Sequence, residues 1–206
     1  MTRITIRFLV FVVAILLIAC NNKNNNKPAE NKPPVSSTSS TDTLSTNKHI
    51  REISPSFKDV NPAITLVVKN IVDDYLNLKN DLANNSADDA KASGKKLNNA
   101  ISKLDKSLLT EDQKKLFEQE EEDLDENSEH IGKTTELDHQ RMHFSRLSQS
   151  IYTIAKAFSA GRILYHVYCS KAENGEGAMW LSESVDDKNP YMGKTSGCNE
   201  IVEKIK

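Results

Sequence analysis

No hydrophobic run in this sequence reaches the roughly 20 residues that a membrane-spanning helix needs; the longest, Phe8 to Ala19, stops well short. An excess of basic charge is also missing. Lysine and arginine number 27 against 29 acidic residues, for a formal net charge of −2, and without a basic stripe a phosphate backbone has nothing to dock on. No nucleic acid is expected as a partner. The chain has no phosphate-binding loop, no hydrolase motif and no nucleophile paired locally with a base, so it reads as non-catalytic. Cysteine is scarce, with three residues in all, and the role of each must be settled separately.

What is present begins at the N-terminus. Arg3 and Arg7 precede the apolar run and the small Ala19 closes it, which are the parts of a secretory signal. The stretch Leu17-Ile18-Ala19-Cys20 resembles the lipobox of bacterial lipoproteins. That resemblance implies removal of residues 1–19, lipidation of Cys20 as the mature first residue, and a membrane-anchored protein of the cell envelope. Several acyl chains on one cysteine hold firmly, because each buried methylene contributes ~0.8 kcal/mol. By resemblance to the sorting rules of such lipoproteins, Asn21 in place of an acidic residue points to the outer membrane. Residues 20–54 follow as Asn, Lys, Pro, Ser and Thr with almost no large apolar side chain. They read as a disordered tether with a reach of roughly 30 Å. The rest, 55–206, is the size of one domain.

Within that domain Ile64, Val67, Val68, Ile71, Tyr75, Leu78 and Leu82 recur at helical spacing, behind Asn61 as a cap and Pro62 at the first helical position. Ser86-x-x-Asp89 opens a second helix carrying Ala90, Leu97, Ile101 and Leu104, weakened at Ser93-Gly94. Thr110-x-x-Gln113 is a capping box for a third, with Leu116, Phe117, Leu124 and Ile131. A fourth runs from near Thr135 through Phe144, Leu147, Ile151, Ile154 and Phe158 to a stop before Gly161. Beyond it, Ile163 to Cys169 is β-prone, Asn174 to Gly177 is turn chemistry, and Ala178 to Leu181 is apolar again. The expected fold is mainly α (α+β): an up-and-down four-helix bundle followed by a small hairpin-like β module. Asn199 to Lys206 suits either a strand or a helical turn.

Three groups of residues bear on chemistry. The acidic run from Glu118 to Glu126 reads as a solvated helix face, because a single helix splays its carboxylates around its circumference. His139 and His143 stand four residues apart, which stacks two imidazoles on one side of a helix, with His143 at the flank of the apolar face and His139 toward solvent. Cys169 and Cys198 are the two thiols left once Cys20 is lipidated. They form either a disulfide, as an oxidising compartment favours, or part of a soft-metal site suited to Cu(I) or Zn(II). Met179, Met192 and Trp180 lie near them in sequence as supporting residues or simple packing.

The combination His139-Gln140-Arg141-Met142-His143-Phe144, Leu147-Ser148, Tyr165-x-x-Tyr168-Cys169, Gly177 to Ser182 and Asn189-Pro190-Tyr191-Met192-Gly193 resembles an uncharacterised bacterial envelope domain family over about residues 65–205. Members of that family resemble stand-alone lipoproteins, and the domain also occurs as a terminal extension of periplasmic adaptors of heavy-metal efflux pumps. The resemblance implies copper or related metal handling, with efflux or other envelope proteins as partners. It also implies Cys169, Cys198 and His143 as ligands, with His139 as an alternate. The chain departs from the family at Cys169-Ser170-Lys171-Ala172, where Cys-Pro-Met-Ala is usual. It departs again before Cys198, where a methionine is usual. Losing both thioethers shifts the expected metal from Cu(I) toward Zn(II). The resulting expectation is a non-catalytic, membrane-anchored lipoprotein that binds or buffers a soft metal. The alternative is an envelope interaction domain held by a Cys169–Cys198 disulfide.

Overall fold

Asn61 Oδ1 accepts a hydrogen bond from the Ala63 amide at 2.9 Å, with Pro62 in the first helical position. This cap starts helix α1, Pro62–Ala83, in a computed structural model that describes residues 50–193 and 197–206. The expected signal sequence, the expected lipidation at Cys20 and most of the expected tether lie outside the described residues. Helices α2 (Ala87–Ile101), α3 (Glu111–Lys133) and α4 (Leu137–Phe158) follow, and each packs on its predecessor while α4 returns to α1. Short connections between consecutive antiparallel helices produce this up-and-down order. Thr110 and Gln113 form the reciprocal capping box that starts α3. At α2 the expected Ser86 cap differs: its hydroxyl binds the Asp89 carboxylate at 2.5 Å instead of a backbone amide.

The weak point at Ser93-Gly94 has a packing reason. A Cβ on Gly94 would stand 2.8 Å from Ile131 Cγ2 and 2.9 Å from the Gly132 amide nitrogen, and one on Gly132 would stand 2.9 Å from Lys95 Cγ. The two glycines thus let α2 and α3 approach where larger residues would hold them apart. In the bundle core Leu97, Leu124, Ile131, Leu147 and Ile151 are fully buried. Each such side chain contributes ~1.5–3 kcal/mol relative to exposure.

Four strands complete the domain: β1 (Arg51–Ile53), β2 (Leu164–Cys169), β3 (Ala178–Ser182) and β4 (Glu200–Ile205). Their order is β1-β4-β2-β3, with β2 antiparallel to both neighbours and β1 parallel to β4. One expectation changes and one open choice closes: the folded unit begins before residue 55, because Arg51–Ile53 pairs with Glu203–Ile205, and the C-terminal segment takes the strand, one of its two expected forms. A three-residue strand leaves almost no periodicity to read, and its partner lies 152 residues away. The sheet meets the bundle through an aromatic chain in which Tyr75 stacks on Phe144, Phe144 packs on Tyr191, and Tyr191 meets Trp180 edge-on. Tyr75 also bonds Ser148 at 2.8 Å and accepts from the Leu181 amide at 3.1 Å, joining α1, α4 and β3. No described helix is long and apolar enough to cross a membrane.

Candidate metal centre

Helix α3 ends at Lys133 and α4 begins at Leu137, so side chains in the last turns of one and the first turns of the other meet at a corner. His130 comes from α3, and His139 and His143 from α4. One ring nitrogen from each of the three falls within 4.8 Å of the others. The His143 ring stacks on both neighbours, at centroid distances of 4.4 Å to His130 and 4.8 Å to His139. Burial is graded: His143 is buried, His130 half-buried and His139 exposed.

His143 owes its burial to its position on α4, where it shares a face with Phe144 and Leu147 against α3. Its Nδ1 lies 2.9 Å from Asn127 Oδ1, and its Nε2 lies 2.9 Å from His139 Nε2. Burial, reinforced by the neighbouring His130, His139 and Arg146, pushes the His143 imidazolium down to about 4. The ring is therefore neutral at physiological pH, with one nitrogen bare. That is the protonation state a metal requires of histidine.

Two ligating nitrogens on a tetrahedral ion with bonds of ~2.0–2.1 Å stand roughly 3.3 Å apart. The 2.9 Å separation of the His139 and His143 nitrogens is close to that value, and the nitrogens of the triad lie within 4.8 Å of one another. Three imidazoles suit Zn(II) or copper.

The cysteines are elsewhere. Cys169, at the end of β2, and Cys198 are joined as a disulfide with Cα atoms 5.0 Å apart. This corrects the expectation of a mixed Cys169, Cys198 and His143 site, because a sulfur committed to a disulfide is not a thiolate ligand. Trp180 is wholly buried in β3, Met179 is half-buried on the same strand, and Met192 half-buried in the loop after it. Trp180 belongs to the hydrophobic core and Met192 packs against it. In the acidic run, Lys106 binds Glu121 at 2.8 Å and Asn98 donates to Asp125 at 2.7 Å, consistent with a solvated helix face.

His130 is the residue that sequence reasoning missed. It has no histidine at helical spacing on its own helix and sits beside an acidic run. The usable signal was the hairpin: a histidine one turn before a short helix–helix joint lies opposite histidines in the first two turns after it.

Residues 71–162 match the family model described as a protein of unknown function (DUF3347). The match runs from α1 to just beyond α4. It contains Asn127 and all three clustered histidines and excludes both cysteines of the disulfide. Among curated proteins and among solved structures, nothing matches the chain.

Proposed function

We propose that this chain is a lipoprotein of the cell envelope, anchored through Cys20, whose helical bundle binds a metal ion without catalysis at His130, His139 and His143. The observation that carries the reading is the three-imidazole corner, in which the most buried ring is neutral and held by a second side chain. A ligand set of imidazoles without sulfur favours Zn(II) over Cu(I). The outer membrane as destination, and metal-efflux or other envelope proteins as partners, belong to the same proposal.

The test uses the full chain extracted from membranes in detergent. Zn(II) affinity is measured by competition with a chelator for the wild type and for His130→Ala, His139→Ala and His143→Ala. One ion per chain is expected, with each alanine weakening binding and His143→Ala costing more than 100-fold. Equal retention by the wild type and all three variants would overturn the site. Mass spectrometry of the N-terminal peptide, together with release of Cys20→Ser from the membrane fraction, tests the anchor.

The disulfide favours a second reading, an interaction domain whose sheet module is braced for a partner protein. It predicts a folded protein that retains no Zn(II) against the same chelator.

A further inference from the structure

Among the side chains around the histidine corner, Asn127 serves none of the usual surface purposes. It lies on α3 one turn before His130, is 2% exposed, and uses both ends of its amide. Its Nδ2 donates to the Asp123 carbonyl at 2.7 Å. That bond fixes which way the amide faces: the nitrogen is spent on the helix's own backbone, and the oxygen points at His143 Nδ1 at 2.9 Å. An amide oxygen only accepts. His143 Nδ1 must therefore carry the proton, and a neutral imidazole has only one, so Nε2 presents a lone pair.

Resting on the metal reading above, we propose that Asn127 is the positioning residue of this centre, holding His143 in the Nδ1–H tautomer so that Nε2 is the ligand atom. Several observations support this assignment. The bare Nε2 is the nitrogen that faces His139 at 2.9 Å, so in the metal-free protein it accepts a hydrogen bond from His139 Nε2–H. An arriving ion replaces that hydrogen, and the His139 ring supplies a lone pair after its proton moves to the other ring nitrogen. His143 itself neither turns nor changes tautomer. The most buried ligand is pre-set, and the adjustment falls on exposed His139 and half-buried His130. The Asp123–Asn127 bond also ties the orientation to the backbone of α3, the helix that carries His130. One helix thus supplies a ligand and aims the ligand contributed by the other. Such outer partners typically govern ~10- to 100-fold in metal affinity.

The experiment compares the full-length wild type with Asn127→Leu, which removes the acceptor at similar volume, and Asn127→Asp, which keeps an oxygen on Nδ1. Zn(II) affinity is read by chelator competition, and the His143 tautomer by nitrogen-15 NMR of the metal-free protein. The expected result is an Nδ1–H ring in the wild type and in Asn127→Asp, ~10- to 100-fold weaker binding in Asn127→Leu, and a smaller loss in Asn127→Asp, whose carboxylate still accepts from Nδ1 but cannot donate to the Asp123 carbonyl. A folded Asn127→Leu that binds Zn(II) as the wild type does would overturn the proposal, and so would an Nε2–H tautomer in the wild type. If Asn127→Leu does not fold, the wild-type tautomer and Asn127→Asp still decide it. Failure of the wild type to bind Zn(II) would remove the metal reading, whereas wild-type binding with an indifferent Asn127→Leu would remove only the role of Asn127.

Discussion

The α3–α4 corner and the junction between bundle and sheet both bury polar side chains, but they complete them differently. At the junction Lys79 is 4% exposed and ion-paired with Asp187, which also accepts from Ser182 at 2.6 Å. Burial would raise the Asp187 carboxyl, yet the bonds from Lys79 and Ser182 outweigh it and hold the group below the ordinary carboxylate range. Glu203, buried in β4, is likewise bound by Arg51 and by the Tyr152 hydroxyl. Lys79, Asp187 and Glu203 there each meet an opposite charge. At the corner the groups are imidazoles, and the two nitrogens of buried His143 face Asn127 Oδ1 and His139 Nε2. The charge-saturated junction fastens elements together, whereas the corner gathers three ring nitrogens within 4.8 Å of one another.

The largest expected effect comes from breaking the saturated side. Asp187→Ala strands the Lys79 ammonium in the interior and is expected to cost ~3–5 kcal/mol in urea unfolding, with Zn(II) affinity unchanged. A cost below ~1 kcal/mol would mean that water reaches Lys79 and that the junction is less closed than its burial indicates. Removing the disulfide with Cys169→Ser and Cys198→Ser comes next. The bridge closes a loop of 29 residues and is worth roughly 3–4 kcal/mol on the loop-entropy argument. Zn(II) binding should survive it, and a variant that unfolds at the expected denaturant concentration but has lost its ion would erase the separation between the two regions.

A smaller effect concerns pH. Burial and the Lys156 ammonium push the His166 imidazolium down to about 4. Glu203 lies 3.8 Å from His166 Nδ1 and would favour the cation, but its charge is already neutralised by Arg51. With the folded value lowered, the unfolded chain takes up protons first. Stability from this group is complete above ~6.5 and is lost as pH falls toward about 4. Between pH 7.5 and 6 the expected loss is ~0.5–1 kcal/mol. Urea unfolding at the two pH values measures it, and a slope that survives His166→Asn unchanged would assign it to other groups.

The bundle was largely legible because its signals are local. The Asn61-Pro62 start and the Thr110–Gln113 box need only neighbouring residues, and the apolar stripes need only the helical period. The strand at Arg51–Ile53 was not legible, since a segment this short shows no alternation and is completed by β4 at the far end of the chain. Half of the site could be read. His139 and His143 share a helix face and announce themselves by spacing, while His130 and Asn127 belong to another helix and enter only through the corner. The cysteines show the opposite error, in which resemblance joined them to the histidines and the fold holds them in the sheet region.

By itself the sequence determined the helices, the caps of α1 and α3 and the mainly helical class, because helix formation is governed by contacts three and four residues apart. For Cys169 and Cys198 it left disulfide and metal site both open. Only the tertiary structure decided how those thiols are used and which histidines meet. Pairing across 29 residues, and across two helices joined at a turn, depends on which side chains the packed core leaves within reach. No local periodicity records that.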